Sequence, residues 1–276
     1  MNKIIIKEDI IDVLDTNNDI EVLFNSKTEF FDVNSITINV KTSTNLKIIY
    51  ESINEIKLDV KINVFENAKL NLVEYRKANT SKIRYQINIY KNAHLYVSKF
   101  YDSKSIKEYL ICNLLGENAN IDYNFKTISK AYEKYDLTIY HHDKNTISNI
   151  KNNGVNIKEG NLIFNVSSFV YNGNKNAEVD QKSRIINLTE EKCQINPNLF
   201  IDEYDCIANH SAHIGKFSDE EMFYLNSRGI NDNDAIKLLI TGFLTSNVDE
   251  YVKTKINDAI LKYWGWNYES WRFLNA

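Results

Sequence analysis

One proline, eight glycines, three cysteines and two methionines are spread over 276 residues, and each scarcity excludes something. Cys112, Cys193 and Cys206 are an odd number without zinc-type spacing, so neither a disulfide framework nor a cysteine metal knuckle is expected. A reducing, cytoplasmic setting suits such a set. So little glycine and proline is poor provision for many tight hairpins, whose turns need positive φ or a fixed φ. No run of about 18 apolar residues occurs, so no membrane-spanning helix is expected. The opening MNKIIIKEDIIDVLD places acids among its apolar residues, unlike a secretion signal. The 33 basic and 37 acidic residues are interspersed, giving a net charge of −4 without a basic stripe, so no nucleic-acid partner is expected. A phosphate-binding P-loop, a G-x-S-x-G elbow, an H-E-x-x-H helix and a cysteine-rich cluster cradle are all missing. The expectation is a protein that is not an enzyme.

What is abundant is asparagine, isoleucine, lysine and alternation. Apolar residues make up 43% of the chain, ample for one large core. From about 45 to 215, strand formers occupy every second place, as in IKLDVKINVF (56–65), IRYQINIY (83–90) and LIFNVSSFVY (162–171). Each such segment can bury one face. YLICNLL (109–115) is continuously apolar and reads as a fully buried strand carrying a core Cys112. The first 45 residues are ambiguous: IIIKEDIIDVLD fits either a strand entering a turn or a short helix.

A short signature recurs between the strands. It reads NAKL from Asn67, NAHL from Asn92, NANI from Asn118 and NAEV from Asn176. The first two steps are 25 and 26 residues and the third is 58, about two periods. Repetition at such a period indicates a solenoid, here one whose coils bury their inner faces on their neighbours. The expected fold is therefore mainly β, a right-handed parallel β-helix, with an antiparallel sandwich as rival. The expected divisions are a lead-in over 1–45, a β-helix core over 46–217 and a helical region over 218–276.

The last division follows from a change of period near Ser218. SDEE fits a capping box, with Glu221 three residues after the cap. Gly229 is placed to end that helix. Asn231 can cap a second helix with a stripe of Ile236, Leu239, Ile240, Phe243 and Leu244. Asn247 is the expected cap of a third, whose stripe runs from Val248 to Tyr263. The aromatic tail YWGWNYESWRFLNA is read as packing against these helices, with partner binding as the alternative.

The segment from His210 to Ile230, HSAHIGKFSDEEMFYLNSRGI, resembles the SufB/SufD family of iron–sulfur cluster assembly proteins. The family pattern is close to H-G-A-x-V-G-x-L-D-E-E-x-L-F-Y-L-x-S-R-G-I. It continues into a helix that here holds Ala235 and Gly242-Phe243. Weaker likeness extends upstream through His142, Thr146, Ser148, Phe164, Ala177, Gln181 and the N-P-x-L step at Asn196 to Leu199. The branch resembled is SufD. His210-Ser211-Ala212 and Ser227-Arg228-Gly229 depart from the SufB forms, and no cysteine lies near Lys182. Ala208 stands where SufD proteins often carry a cysteine, and the chain is read as a short, N-terminally reduced member.

The resemblance implies a scaffold subunit of a SufBCD-type complex. It would pair with a SufB-like paralogue or with itself, and a SufC-like ABC ATPase would dock on Met222, Phe223, Tyr224, Leu225, Ser227, Arg228, Gly229, Ile230 and Phe243. It places His210 near the subunit interface as a candidate iron ligand, with Asp205 as a partner carboxylate. No resident cofactor is expected, only transient iron or an iron–sulfur cluster at the interface. Residue chemistry alone leaves plainer roles open. His210 can cap the β-helix end through hydrogen bonds, and Arg228 can tie two helices together. His213 is read as exposed and His142 as structural, and His141 and His142 must point to opposite faces of their strand. Two other readings of the whole chain are a SufD-like paralogue without cluster chemistry and a β-helix enzyme acting on acidic polysaccharide.

Overall fold

The computed structural model describes residues 2–7, 10–14, 18–25, 33–52 and 54–265. Seventeen strands and three helices follow in chain order. The strands are β1 (Asn2–Lys7), β2 (Ile10–Leu14), β3 (Ile20–Asn25), β4 (Asn34–Val40), β5 (Thr44–Glu51), β6 (Glu55–Val64), β7 (Lys69–Lys77), β8 (Thr80–Ile89) and β9 (His94–Tyr101). Then come β10 (Ser105–Leu114), β11 (Asn120–Ser129), β12 (Tyr132–His141), β13 (Ile147–Asn156), β14 (Asn161–Val170), β15 (Ala177–Asn187), β16 (Gln194–Ile201) and β17 (Cys206–Gly215). The helices are α1 (Asp219–Asn226), α2 (Asp232–Thr245) and α3 (Glu250–Trp264).

From β4 onward the chain alternates between two parallel sheets, one strand to each per coil, and makes about seven turns of a β-solenoid. The odd strands from β5 to β17, with β1 and β2, form sheet A; the even strands with β3 form sheet B. The ambiguous N-terminus is strand. β1 lies parallel to β5 and antiparallel to β2, and β3 lies antiparallel to β4. Part of the lead-in thus belongs to the two sheets.

The corners explain how a chain so poor in glycine turns so often. Asn67, Asn92, Asn118, Asn145 and Asn176 each sit just before a strand of sheet A with positive φ. Asparagine is the side chain that tolerates this region best after glycine. Their amides also form a stack: Asn92 donates to Asn67 at 3.0 Å, Asn118 to Asn92 at 2.8 Å, and Asn176 to Asn145 at 3.1 Å. The 58-residue interval in the repeat is resolved by Asn145, hidden because Thr146 replaces the usual alanine. Ala68, Ala93, Ala119 and Ala177 are all buried at that place. Thr146 is tolerated because His141 is buried beside it and needs partners. Its Nδ1 lies 2.8 Å from Thr146 Oγ1 and its Nε2 lies 2.9 Å from Ser148 Oγ. Burial, with His142 adding repulsion, pushes the His141 imidazole down to about 4. A second asparagine ladder runs through Asn39, Asn63, Asn88 and Asn113 and ends on His142. At Gly116 the corner is too close for a side chain, since a Cβ there would lie 2.5 Å from the Lys91 backbone nitrogen.

The solenoid interior is mostly aliphatic, with buried charged groups at two places. In the larger, Glu74, Arg76, Lys99 and Glu108 are fully buried and mutually paired at 2.8 to 3.5 Å. Tyr101 donates to both carboxylates and Tyr85 to Glu74. Burial alone would raise the Glu74 carboxyl, but the Lys99 and Arg76 charges bring it below the ordinary range.

The second inclusion is Glu133. Its Oε2 accepts from Thr127 and Tyr135 at 2.8 Å, while its buried Oε1 has no partner. Desolvation pushes this carboxyl up to about 7. A raised carboxyl means that the folded chain holds a proton the unfolded chain has already lost. Its stabilising share is present below about pH 4.5 and is lost as pH rises through about 7. Replacing Glu133 by glutamine is therefore expected to leave stability unchanged near pH 4 and raise it by roughly 3 kcal/mol above pH 8. Urea midpoints at the two pH values check this, and equal responses of both proteins would refute it.

YLICNLL is a strand, but not a fully buried one: Leu110, Cys112 and Leu114 face the core while Tyr109 and Ile111 face outward. The core position of Cys112 follows the sequence, and burial raises its thiol far above the ordinary value. Helices α2 and α3 cover the outer face of sheet A. They bury Ile240, Leu244, Val252, Ile256 and Ile260 against Val73, Tyr75, Phe100, Val155 and Ile186. Tyr263 and Lys130 both reach the buried Asp102, fastening α3 to the solenoid. The cap of α1 is Ser218 with Glu221 reciprocating, and the cap of α2 is Asn231. The cap of α3 is Asp249, not Asn247. Asn247 has φ of 54° and makes the turn, so its side chain is not in the extended capping conformation. Residues 266–276, most of the aromatic tail, lie outside the described residues.

Candidate functional site

The distinctive region is the last coil. Every earlier coil is covered by its successor, whereas β16 and β17 each have one neighbour in their sheets. The sole proline, Pro197, lies in β16, at a sheet end where a missing donor is tolerated. Side chains that continue the interior columns are left uncovered. Ile195, Pro197, Leu199 and Ile201 follow the inward column of β14. Cys206, Ala208, His210, Ala212 and Ile214 follow that of β15. On the outside of the same coil, Ile207 and Phe200 are also exposed. Phe200 ends a stack that runs through Tyr140 and Phe169, with ring centroids 4.9 and 4.4 Å apart.

His210 stands in register on Gln181, the last residue of an inward column that includes Tyr123 and Ile150. It is exposed because nothing lies above it. Gln181 gives its amide to Ser168 at 2.8 Å and to the Asn198 carbonyl at 3.3 Å, while its Oε1 is buried and unpaired. Among the described residues the His210 side chain makes no hydrogen bond, so the end-capping role has no support in the geometry. Asp205 does not accompany it. It lies in the corner before β17 and pairs with Lys175 at 3.3 Å. Five residues of extended chain put it ~16 Å from His210 along the strand. The Cys206 thiol donates to the Glu203 carbonyl at 3.1 Å and is raised, chiefly by desolvation. His213 faces outward beside Arg184 and cannot share an ion with the inward His210. Among the described residues no three His, Cys, Asp or Glu side chains converge as a metal site.

The other predicted surface is α1. It buries none of its residues. Phe223 is 75% and Tyr224 55% exposed, and Arg228 stacks on the Tyr224 ring at 4.6 Å. Arg228 thus folds back on the helix it follows. Met222, Leu225 and Ile230 are half-buried, and Ser227 and Gly229 are exposed at the turn, where Gly229 has φ of 84°. Phe243 is apart from this group. It lies ~16 Å further along α2 and packs on sheet A with Arg184 5.3 Å from its ring.

The family model for the SUF system FeS cluster assembly SufBD core domain matches residues 22–243, which include both regions. The chain belongs to the SufBD family. Among its relatives, the iron–sulfur cluster assembly protein SufD of Bacillus subtilis (strain 168) is 33% identical over 141 residues, covering 50% of this chain and 32% of that protein. SufD of Escherichia coli (strain K12) is 36% identical over 69 residues, covering 25% of this chain and 13% of that protein. The SufBD family protein ycf24 of Galdieria sulphuraria is 26% identical over 141 residues, covering 49% and 63%. The matches support a SufD-like member, as the HSAHIG and SRG signatures led one to expect. No helix among the described residues is long and apolar enough to cross a membrane. The sequence had marked His210 but not the open coil around it. The signal for that coil was present in the run of inward parity from Ile195 to Ile201, which only the register turns into an exposed edge.

Proposed function

We propose that this chain is a non-catalytic scaffold subunit of a SufBCD-type iron–sulfur cluster assembly complex in the cytoplasm. The open last coil pairs with the matching coil of a SufB-like paralogue, or of a second copy, and extends both sheets across the interface. A SufC-like ABC ATPase docks on α1 and the turn through Ile230. Iron and sulfide are cargo that reach the interface, where His210 offers an imidazole from one side.

The observation that carries this reading is the uncovered interior column at β16 and β17, which leaves apolar side chains and two strand edges exposed at one end of the solenoid. Exposed edges invite pairing with another chain, and an exposed apolar patch marks an interface. Co-expression with SufB-like and SufC-like subunits should yield a stable complex on gel filtration; recovery of this chain alone would overturn the reading.

A paralogue without cluster chemistry is favoured by one observation, the lack of three converging ligands among the described residues. Anaerobic iron and sulfide reconstitution of the assembled complex, read by visible absorption, separates the two. If His210→Ala leaves the cluster bands unchanged, the ligand role fails and the scaffold role stands.

A further inference from the structure

Two neighbouring outward rows of sheet A cross the coils beneath the joint of α2 and α3. One holds Lys151 directly beside Lys182; the other holds Lys126, Asn153, Arg184 and His213 in register. Adjacent strands lie about 4.8 Å apart, and like charges on adjoining rungs repel. These side chains line a cleft of about 390 Å³, roofed by Phe243, Ser246 and Asn247, and no carboxylate lines it. Asn153 donates to the Phe243 carbonyl at 3.2 Å, which fixes the roof to the same row. Lys182 turns away to Asp180 on its own strand.

Lys126 has no such outlet. Its side chain lines the cleft with the residue only 2% exposed, and among the described residues no acceptor pairs with its ammonium. The Arg184 Nε is likewise buried without a partner. Desolvation, with repulsion from Lys151, pushes Lys126 down to about 8. A charge drawn from water without a counterion is costly, and here the Lys126 ammonium, with no carboxylate partner, and the unpaired Arg184 Nε face one cavity.

We infer that this cleft binds a tetrahedral oxyanion of the phosphate class, held by Lys126 and Arg184 with Lys151 and His213 at its edge. Charge-assisted contacts of this kind are the strong ones, and arginine suits them geometrically. Bound there, the anion would link the solenoid to the α2–α3 joint.

The test uses the full chain at constant ionic strength, with inorganic phosphate exchanged for chloride. Phosphate should raise the thermal midpoint and give a calorimetric isotherm. Lys126→Met should raise the midpoint in chloride, because the unpaired charge is gone, and weaken phosphate binding at least ~10-fold. Arg184→Gln should weaken it as well. ADP run alongside identifies the source. Equal affinities indicate a free anion and tighter ADP binding indicates a terminal phosphate on a larger ligand; either supports the site if Lys126→Met weakens it by that factor. No isotherm with either probe, or equal phosphate shifts in the parent and Lys126→Met proteins, would overturn it.

Discussion

Replacing Arg76 by methionine is expected to destabilise the solenoid by roughly 3–5 kcal/mol, more than any single surface change. Arg76 is fully buried and contacts Glu74 at 2.9 Å and Glu108 at 2.8 Å. Its guanidinium also lies 3.9 Å from the Tyr101 ring. Methionine fills similar volume, so the loss is electrostatic rather than a cavity. It leaves two buried carboxylates facing one cation, Lys99. Removing Glu74 as well, in the Glu74→Leu, Arg76→Met double variant, restores one charge of each sign. That variant is expected to be more stable than Arg76→Met alone, because a buried ion pair is weakly stabilising as a unit but expensive to break. Denaturant midpoints of the three proteins decide it. The account fails if Arg76→Met falls within about 1 kcal/mol of the parent or if the double variant is the least stable.

Truncating Phe223 and Tyr224 together to alanine is expected to weaken capture of the proposed ATPase partner by ~100-fold or more, with the fold untouched. Exposed aromatics are the side chains that most often dominate an interface, and α1 buries none of its residues in this chain. The capping box and the Gly229 turn hold the helix in place without them. Thermal stability should therefore stay within about 0.5 kcal/mol of the parent. Unchanged capture by the double variant, measured by surface plasmon resonance with the nucleotide-bound ATPase, would remove α1 from the docking surface. Loss of capture accompanied by a fallen midpoint would point to misfolding instead, and Arg228→Ala, which removes only the stacked cation, then serves as the milder probe.

Much of this architecture was legible in the chain. The Asn-Ala corner signature identified a solenoid because a parallel coil must turn at the same place on every circuit, and asparagine can supply the positive φ there. Capping residues at Ser218 and Asn231 identified two helix starts, since a helix N-terminus must satisfy its free N–H groups locally. Asn247 misled for the same reason that the corner asparagines informed: the residue serves both a cap and a left-handed turn, and only backbone geometry separates the uses. YLICNLL misled because apolar content does not report burial when one solenoid face is left to solvent.

By itself, then, the sequence determined the family, the coil period, the switch from strand to helix at Ser218 and the two segments that the proposed function uses. These rest on local chemistry, on which residue can turn, cap or alternate. Only the tertiary structure decided three matters. It placed Glu74, Arg76, Lys99 and Glu108 inside, where parity allowed them but charge argued for water, because partners from neighbouring strands neutralise them. It parted Asp205 from His210, because an extended strand separates near neighbours in sequence. And it brought Lys126, Lys151 and Arg184 from three strands to one cleft, because parallel register stacks residues about one coil apart onto a single face.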